Sequence, residues 1–214
     1  MRSFPILCSH FPVRLALYAV LEAVALQAIV VTVTNAGPKV FEEDGPIEWV
    51  HFGLMIATGA MFLWNWQGNG AYPAVLLFCS MLAFIAALRE LDHYSEVMLF
   101  RGAYKYPVAL IGVLTGVLAL YHLTKDRQRL WQEISAFIKQ PAFFLLAFGL
   151  FLAVIAAQIL GQAELWHALI EPTTTARTAK RVLEETVETI GYLTLFFGAI
   201  ETSSLNGIQE LGDS

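Results

Sequence analysis

Charged side chains are scarce in this sequence: 14% of its 214 residues are Asp, Glu, Lys or Arg, against roughly 25% in an average soluble domain. With 57% of the residues hydrophobic, the chain lacks the polar groups to clothe a surface facing water, which excludes an ordinary soluble globular domain. No basic surplus marks a nucleic-acid partner, since Lys and Arg number 13 against 18 Asp and Glu. Cysteine is limited to Cys8 and Cys79. The two are far apart, and Cys79 sits in an apolar run where a small polarizable side chain is a packing choice, so neither a disulfide framework nor a thiolate metal site is expected. The sequence also shows no internal repeat, no low-complexity tract and no small-residue cleavage site after its first apolar stretch. The first helix is therefore expected to remain as an anchor.

What the chain does have is long apolar runs. They predict helices over about 14–35, 46–66, 72–96, 104–123, 141–167 and 180–205, each near the roughly 20 residues that span a bilayer. The expected fold is an all-α integral membrane protein, a bundle of six transmembrane helices, with residues 1–214 forming a single polytopic domain. Breakers separate the runs: Gly37-Pro38, Gly45-Pro46, Gln67-Gly68-Asn69-Gly70, Pro141, and the turn Pro172-Thr173-Thr174-Thr175. Gly112 and Gly116 have the small-xxx-small spacing that lets membrane helices approach closely. Residues 125 to 139, with Lys125, Arg127, Arg129, Trp131 and Lys139, have the basic and aromatic character of a segment lying in the membrane interface.

An even number of crossings puts both termini on one side. The basic residues then divide almost equally between the two faces, so the positive-inside rule does not choose an orientation. Several basics on the face away from the termini adjoin acids, and on that ground the expectation is a bacterial inner membrane with cytoplasmic termini.

The same topology gathers most of the acidic residues at one end of the helices, together with His51, His93 and His167; His10 and His122 fall at the other end. Two pieces share one form, Glu48-Trp49-Val50-His51 and Glu90-Leu91-Asp92-His93. Residues three apart lie on one face of a helix about a turn from each other, so each Glu and His can address a common point. The last helix adds Glu185 and Glu188, with Glu184 beside them. The expected metal ligands are Glu48, His51, Glu90, His93, Glu185 and Glu188, with Glu184, Asp92 and His167 as further candidates. Carboxylates inside a membrane segment are costly, and a divalent or trivalent cation would neutralise them; mixed carboxylate and imidazole ligands suit iron or zinc.

This inventory resembles the ligand set of the ferritin-like di-iron carboxylate proteins, in which two Glu-x-x-His pieces and two further glutamates project into a helical core. The resemblance covers ligand type and number alone: here the extra glutamates come from one helix, the helices span a membrane and the pieces come in a different order. It implies an iron (possible di-iron) or zinc centre. The leading functional expectation is a membrane metalloenzyme, an oxidoreductase or hydrolase, acting on a membrane lipid or another hydrophobic or anionic lipid substrate. A transporter or channel is the second reading, with Glu22 and Glu201 as an intramembrane proton or ion site. The third is an accessory subunit, in a homo-oligomer or a larger membrane complex.

Overall fold

The computed structural model describes residues 10–41, 45–67, 72–90, 105–125, 127–162, 164–166 and 174–212. Helices dominate, and there is no strand among the described residues. The chain runs through α1 (Phe11–Ala36), a 3-10 turn (Pro38–Phe41), α2 (Pro46–Gln67), α3 (Pro73–Glu90) and α4 (Lys105–Lys125). It continues through α5 (Arg127–Phe137), α6 (Pro141–Leu160) and α7 (Thr174–Gly212). Proline opens α2, α3 and α6 and stands in the first turn of α1, positions where its missing N–H costs nothing and its fixed φ suits the helix. At the far end of α1 the chain leaves through Gly37 at φ 80°, a left-handed backbone that glycine adopts without strain.

Four helices, α1, α2, α3 and α6, are long and apolar enough to cross a membrane. Their outward residues confirm the solvent they need. Val24 of α1 and Phe144 of α6 are more than half exposed, as are Leu110 and Val117 of α4, an arrangement suited to hydrocarbon and not to water. The chain is thus consistent with an integral membrane protein of helices.

Inside, α2 and α3 form an antiparallel pair, α4 covers α3, and α7 lies against α2, α6 and α1. Met55, Phe84, Ala87, Val108, Ala153 and Tyr192 form the larger core cluster; Phe62, Leu76 and Ala199 form a second one nearer the opposite end. The glycine pair of α4 does face a neighbour: a Cβ on Gly116 would lie 2.8 Å from Met81 Sδ of α3.

The seam between α6 and α7 is closer still. A Cβ on Gly149 would meet the Gly191 carbonyl at 2.8 Å, and one on Gly191 would meet the Ala153 Cβ at 2.8 Å. Along α6 the small residues facing this seam are Gly149, Ala153, Ala157 and Gly161, four apart throughout. Three α-helical turns take about 10.8 residues, whereas this stripe spends 161 − 149 = 12. The surplus is taken up by a π-helical stretch at Phe151–Ala156, which keeps every small residue turned toward α7.

Several boundaries differ from the sequence expectation. The run expected to continue to His167 stops at Leu160, with a turn at Gly161, where a Cβ would collide with the Glu184 carboxylate. The interfacial segment is itself a helix, α5, and its Glu133 reaches back so that the Ala74 N–H donates to Glu133 Oε2 at 3.1 Å, satisfying an otherwise orphaned donor in the first turn of α3. The last helix begins at Thr174, earlier than expected, since a polar opening such as Thr174-Thr175-Ala176-Arg177 carries no hydropathy signal. Residues 91–96, the expected end of the third helix, lie outside the described residues.

Candidate metal centre

The first turns of α2, the last turn of α3 and the N-terminal half of α7 meet at one end of the bundle. His51 of α2 is completely buried there. Its Nε2 lies 2.7 Å from Thr189 Oγ1, and the Thr189 hydroxyl donates its one hydrogen to the Glu185 carbonyl at 2.7 Å. Nε2 is the ring nitrogen engaged by Thr189, and Nδ1 is the one left facing the acids.

Nδ1 faces two carboxylates. It lies 3.6 Å from Glu90 Oε2 and 3.8 Å from Glu185 Oε2, and it makes no hydrogen bond although it is buried. Such a juxtaposition is favourable only with positive charge between the groups, a proton on the ring or a metal ion. The separations exceed the 2.7–3.2 Å of a hydrogen bond; they match two atoms held about 2.0–2.2 Å from a common ion at an open angle. His51, Glu185 and Glu188 each offer a ligand atom within 4.8 Å of the others. Two ligands on opposite sides of such an ion are at most about 4.4 Å apart, so side-chain movements of a few tenths of an ångström would close the set. The donor types and the orphaned nitrogen both fit a metal ion.

Around this centre the carboxylates are held in place. Tyr192 OH lies 2.8 Å from Glu90 Oε1 and 2.9 Å from Glu188 Oε1. The Arg89 Nη2 donates to Glu188 Oε1 at 2.9 Å and to Glu90 Oε1 at 3.1 Å. Arg89 and Tyr192 thus bind one oxygen of each carboxylate and orient what remains. The Tyr192 ring also meets the His51 ring edge to face, with centroids 5.0 Å apart. Burial penalises these charges, and they repel each other, while Arg89 and Arg181 offset part of the negative charge.

Of the residues singled out in the sequence, the structure brings together His51, Glu90, Glu185 and Glu188, with Glu48 close enough to Glu185 for their charges to interact. Glu184 turns away, its carboxylate against Gly161 of the neighbouring turn. Asp92, His93 and His167 lie outside the described residues. Sequence reasoning did not pick out Thr189 and Tyr192, although each lies four residues, one helical turn, beyond an expected ligand on the same helix.

The two deep glutamates are elsewhere and apart from each other. Thr194 donates its hydroxyl to Glu22 at 2.7 Å. Glu201 sits at the opposite end of the bundle in a buried pair with Arg14: Arg14 Nε donates to Oε1 at 2.7 Å and Nη2 to Oε2 at 2.9 Å, while Tyr18 OH donates to Oε1 at 2.7 Å. From Glu188 to Glu201 is 201 − 188 = 13 residues, roughly 20 Å along a helix at 1.5 Å per residue.

No family model, characterised protein or solved structure matches this chain. Its function has to be argued from its own site.

Proposed function

We propose that the chain is a membrane-embedded metalloprotein whose centre is held by His51, Glu90, Glu185 and Glu188, with Glu48 beside them, and that it is an enzyme of the oxidoreductase or hydrolase type. The observation that carries this reading is the setting of His51: it is completely buried, Thr189 engages its Nε2, and its Nδ1 faces the Glu90 and Glu185 carboxylates without a hydrogen bond. Carboxylate-rich ligation with one described imidazole suits iron first and zinc second. Bound there, iron would supply oxygen activation and zinc a water of lowered pKa. The chain's own residues orient the carboxylates through Arg89 and Tyr192 and hold the imidazole through Thr189. The site's level, where the apolar spans end, suits a lipid or another hydrophobic substrate arriving from the bilayer.

In the same proposal α4 and α7 also cross the bilayer, giving six crossings in all. The polar side of α7 is then sheltered against α2 and α6, and the location is a bacterial inner membrane. The conduit reading through Glu22 and Glu201 draws less support, because Arg14 neutralises Glu201 and Thr194 engages Glu22. The test is elemental mass spectrometry of the detergent-purified protein beside His51→Ala and Glu185→Gln. One or two iron or zinc ions per chain, lost in both variants, is the expected result; metal-free protein, or variants that keep their metal, would remove the reading.

A further inference from the structure

Far from the metal centre, a groove of about 460 Å³ opens between the first turns of α1 and α6. Both helices pack on α7, and the groove lies between them. Phe11 and Leu15 form one wall; Pro141, Phe144 and Phe148 form the other, with Lys139 at the mouth. Among the described residues, the lysine is the sole charged one lining it. Phe144 and Phe148 are each more than half exposed, so the apolar walls are open from the side.

The cations at this end differ in their commitments. Arg14 is held by Glu201, and Arg129 pairs with Glu133 one turn along α5 at 3.3 Å. Lys139 is exposed and makes no ion pair among the described residues. Its level is also defined. It stands where α5, an amphipathic helix with Trp131 turned outward, gives way to the fully apolar start of α6. An exposed tryptophan on an amphipathic helix is characteristic of the headgroup zone of a bilayer. A cation at headgroup level above an apolar groove running into the hydrocarbon zone matches a molecule with an anionic head and an acyl tail.

We infer that this groove binds an anionic phospholipid, with the phosphate at Lys139 and one acyl chain between Phe11 and Leu15 of α1 and Phe144 and Phe148 of α6. A free phosphate would leave the apolar walls unused. A zwitterionic lipid would fill them without meeting the lysine's net charge. The inference concerns the end of the bundle opposite the metal centre and stands independently of it.

Native mass spectrometry of the full-length protein, stripped of lipid and titrated with phosphatidylglycerol or phosphatidylcholine of equal chain length, tests it. Phosphatidylglycerol is expected to be retained about fivefold more tightly, the preference that one lysine near an anionic headgroup supplies. Lys139→Ala removes that preference and leaves weak binding of both lipids. Leu15→Trp, which fills the groove, lowers the retention of both while circular dichroism shows unchanged helix content. If Leu15→Trp does not fold, Phe148→Trp reads the opposite wall in the same way. Equal retention of the two lipids by the unaltered protein, or a preference that survives Lys139→Ala, overturns the role of Lys139. Retention untouched by the tryptophan variants overturns the seating in the groove.

Discussion

Removing one partner of the buried pair between Arg14 and Glu201 should loosen α1 more than any apolar substitution on that helix. The only buried residues of α1 are Arg14 and Tyr18, at 7% and 4% exposure, and Glu201 is 2% exposed. The helix is therefore docked by one bidentate ion pair, the Tyr18 hydroxyl, the stack of Tyr18 on Phe197 with centroids 4.5 Å apart, and the bond between Glu22 and Thr194. Arg14→Met takes the bidentate partner from a charged, buried Glu201, and Glu201→Met takes it from the guanidinium. Each single change should cost about 3–5 kcal/mol, the usual penalty for an uncompensated buried charge. The double variant removes both charges and strands only the Tyr18 hydroxyl, a loss of about 1–3 kcal/mol. The sum of the singles thus exceeds the double by at least about 3 kcal/mol, a coupling well above the error of a double-mutant cycle. Unfolding in mixed micelles of detergent and SDS, followed by circular dichroism, gives all four free energies. Additive effects, or single variants costing less than about 1 kcal/mol, would show that the pair does not hold the helix.

Thr189→Val removes the hydroxyl that engages His51 Nε2 while keeping the shape of the side chain. If His51 is a ligand, metal affinity measured by competition with a chelator should fall by about 10–100-fold, and Thr189→Ser should restore most of it; unchanged affinity in Thr189→Val would separate the hydroxyl from the site. Gly191→Val places side-chain atoms against the backbone of α6, where even a Cβ would lie 2.8 Å from the Ala153 Cβ. A loss of about 1–3 kcal/mol is expected from such overpacking, read in the same micellar unfolding assay, and a neutral result would mean that the seam is looser than described.

The helical, membrane character was legible because hydrocarbon imposes a simple rule on composition, and the prolines at 46, 73 and 141 mark helix starts that any reading would find. The His51, Glu90, Glu185 and Glu188 gathering was legible because alternating helix direction brings particular ends to one side. The pairing of Glu201 was not. Arg14 read as the flanking charge of a helix starting there, whereas the helix begins at Phe11, which carries Arg14 into the bundle and toward α7. Hydropathy also missed the early start of α7, whose opening residues are polar. The orienting roles of Thr189 and Tyr192 depend on side-chain direction and hydrogen-bond polarity, which one-dimensional spacing can suggest but not assign.

The π-helical stretch in α6 sets a rule for which changes of chain length this protein can absorb. Its small-residue stripe is in step with α7 only because the helix carries a surplus residue between Gly149 and Gly161. Deleting one residue from Phe151–Ala156 would let the helix relax to an ordinary α form and would turn everything after it by about 100°. Ala157 and Gly161 would swing off the seam, and bulkier neighbours would meet α7 beside Glu184, Glu185 and Glu188. Substitutions in this stretch change the packing locally, but an insertion or deletion there rephases the wall behind the metal-ligand helix. In any set of related chains, gaps should avoid residues 149–161 even where the individual residues vary freely.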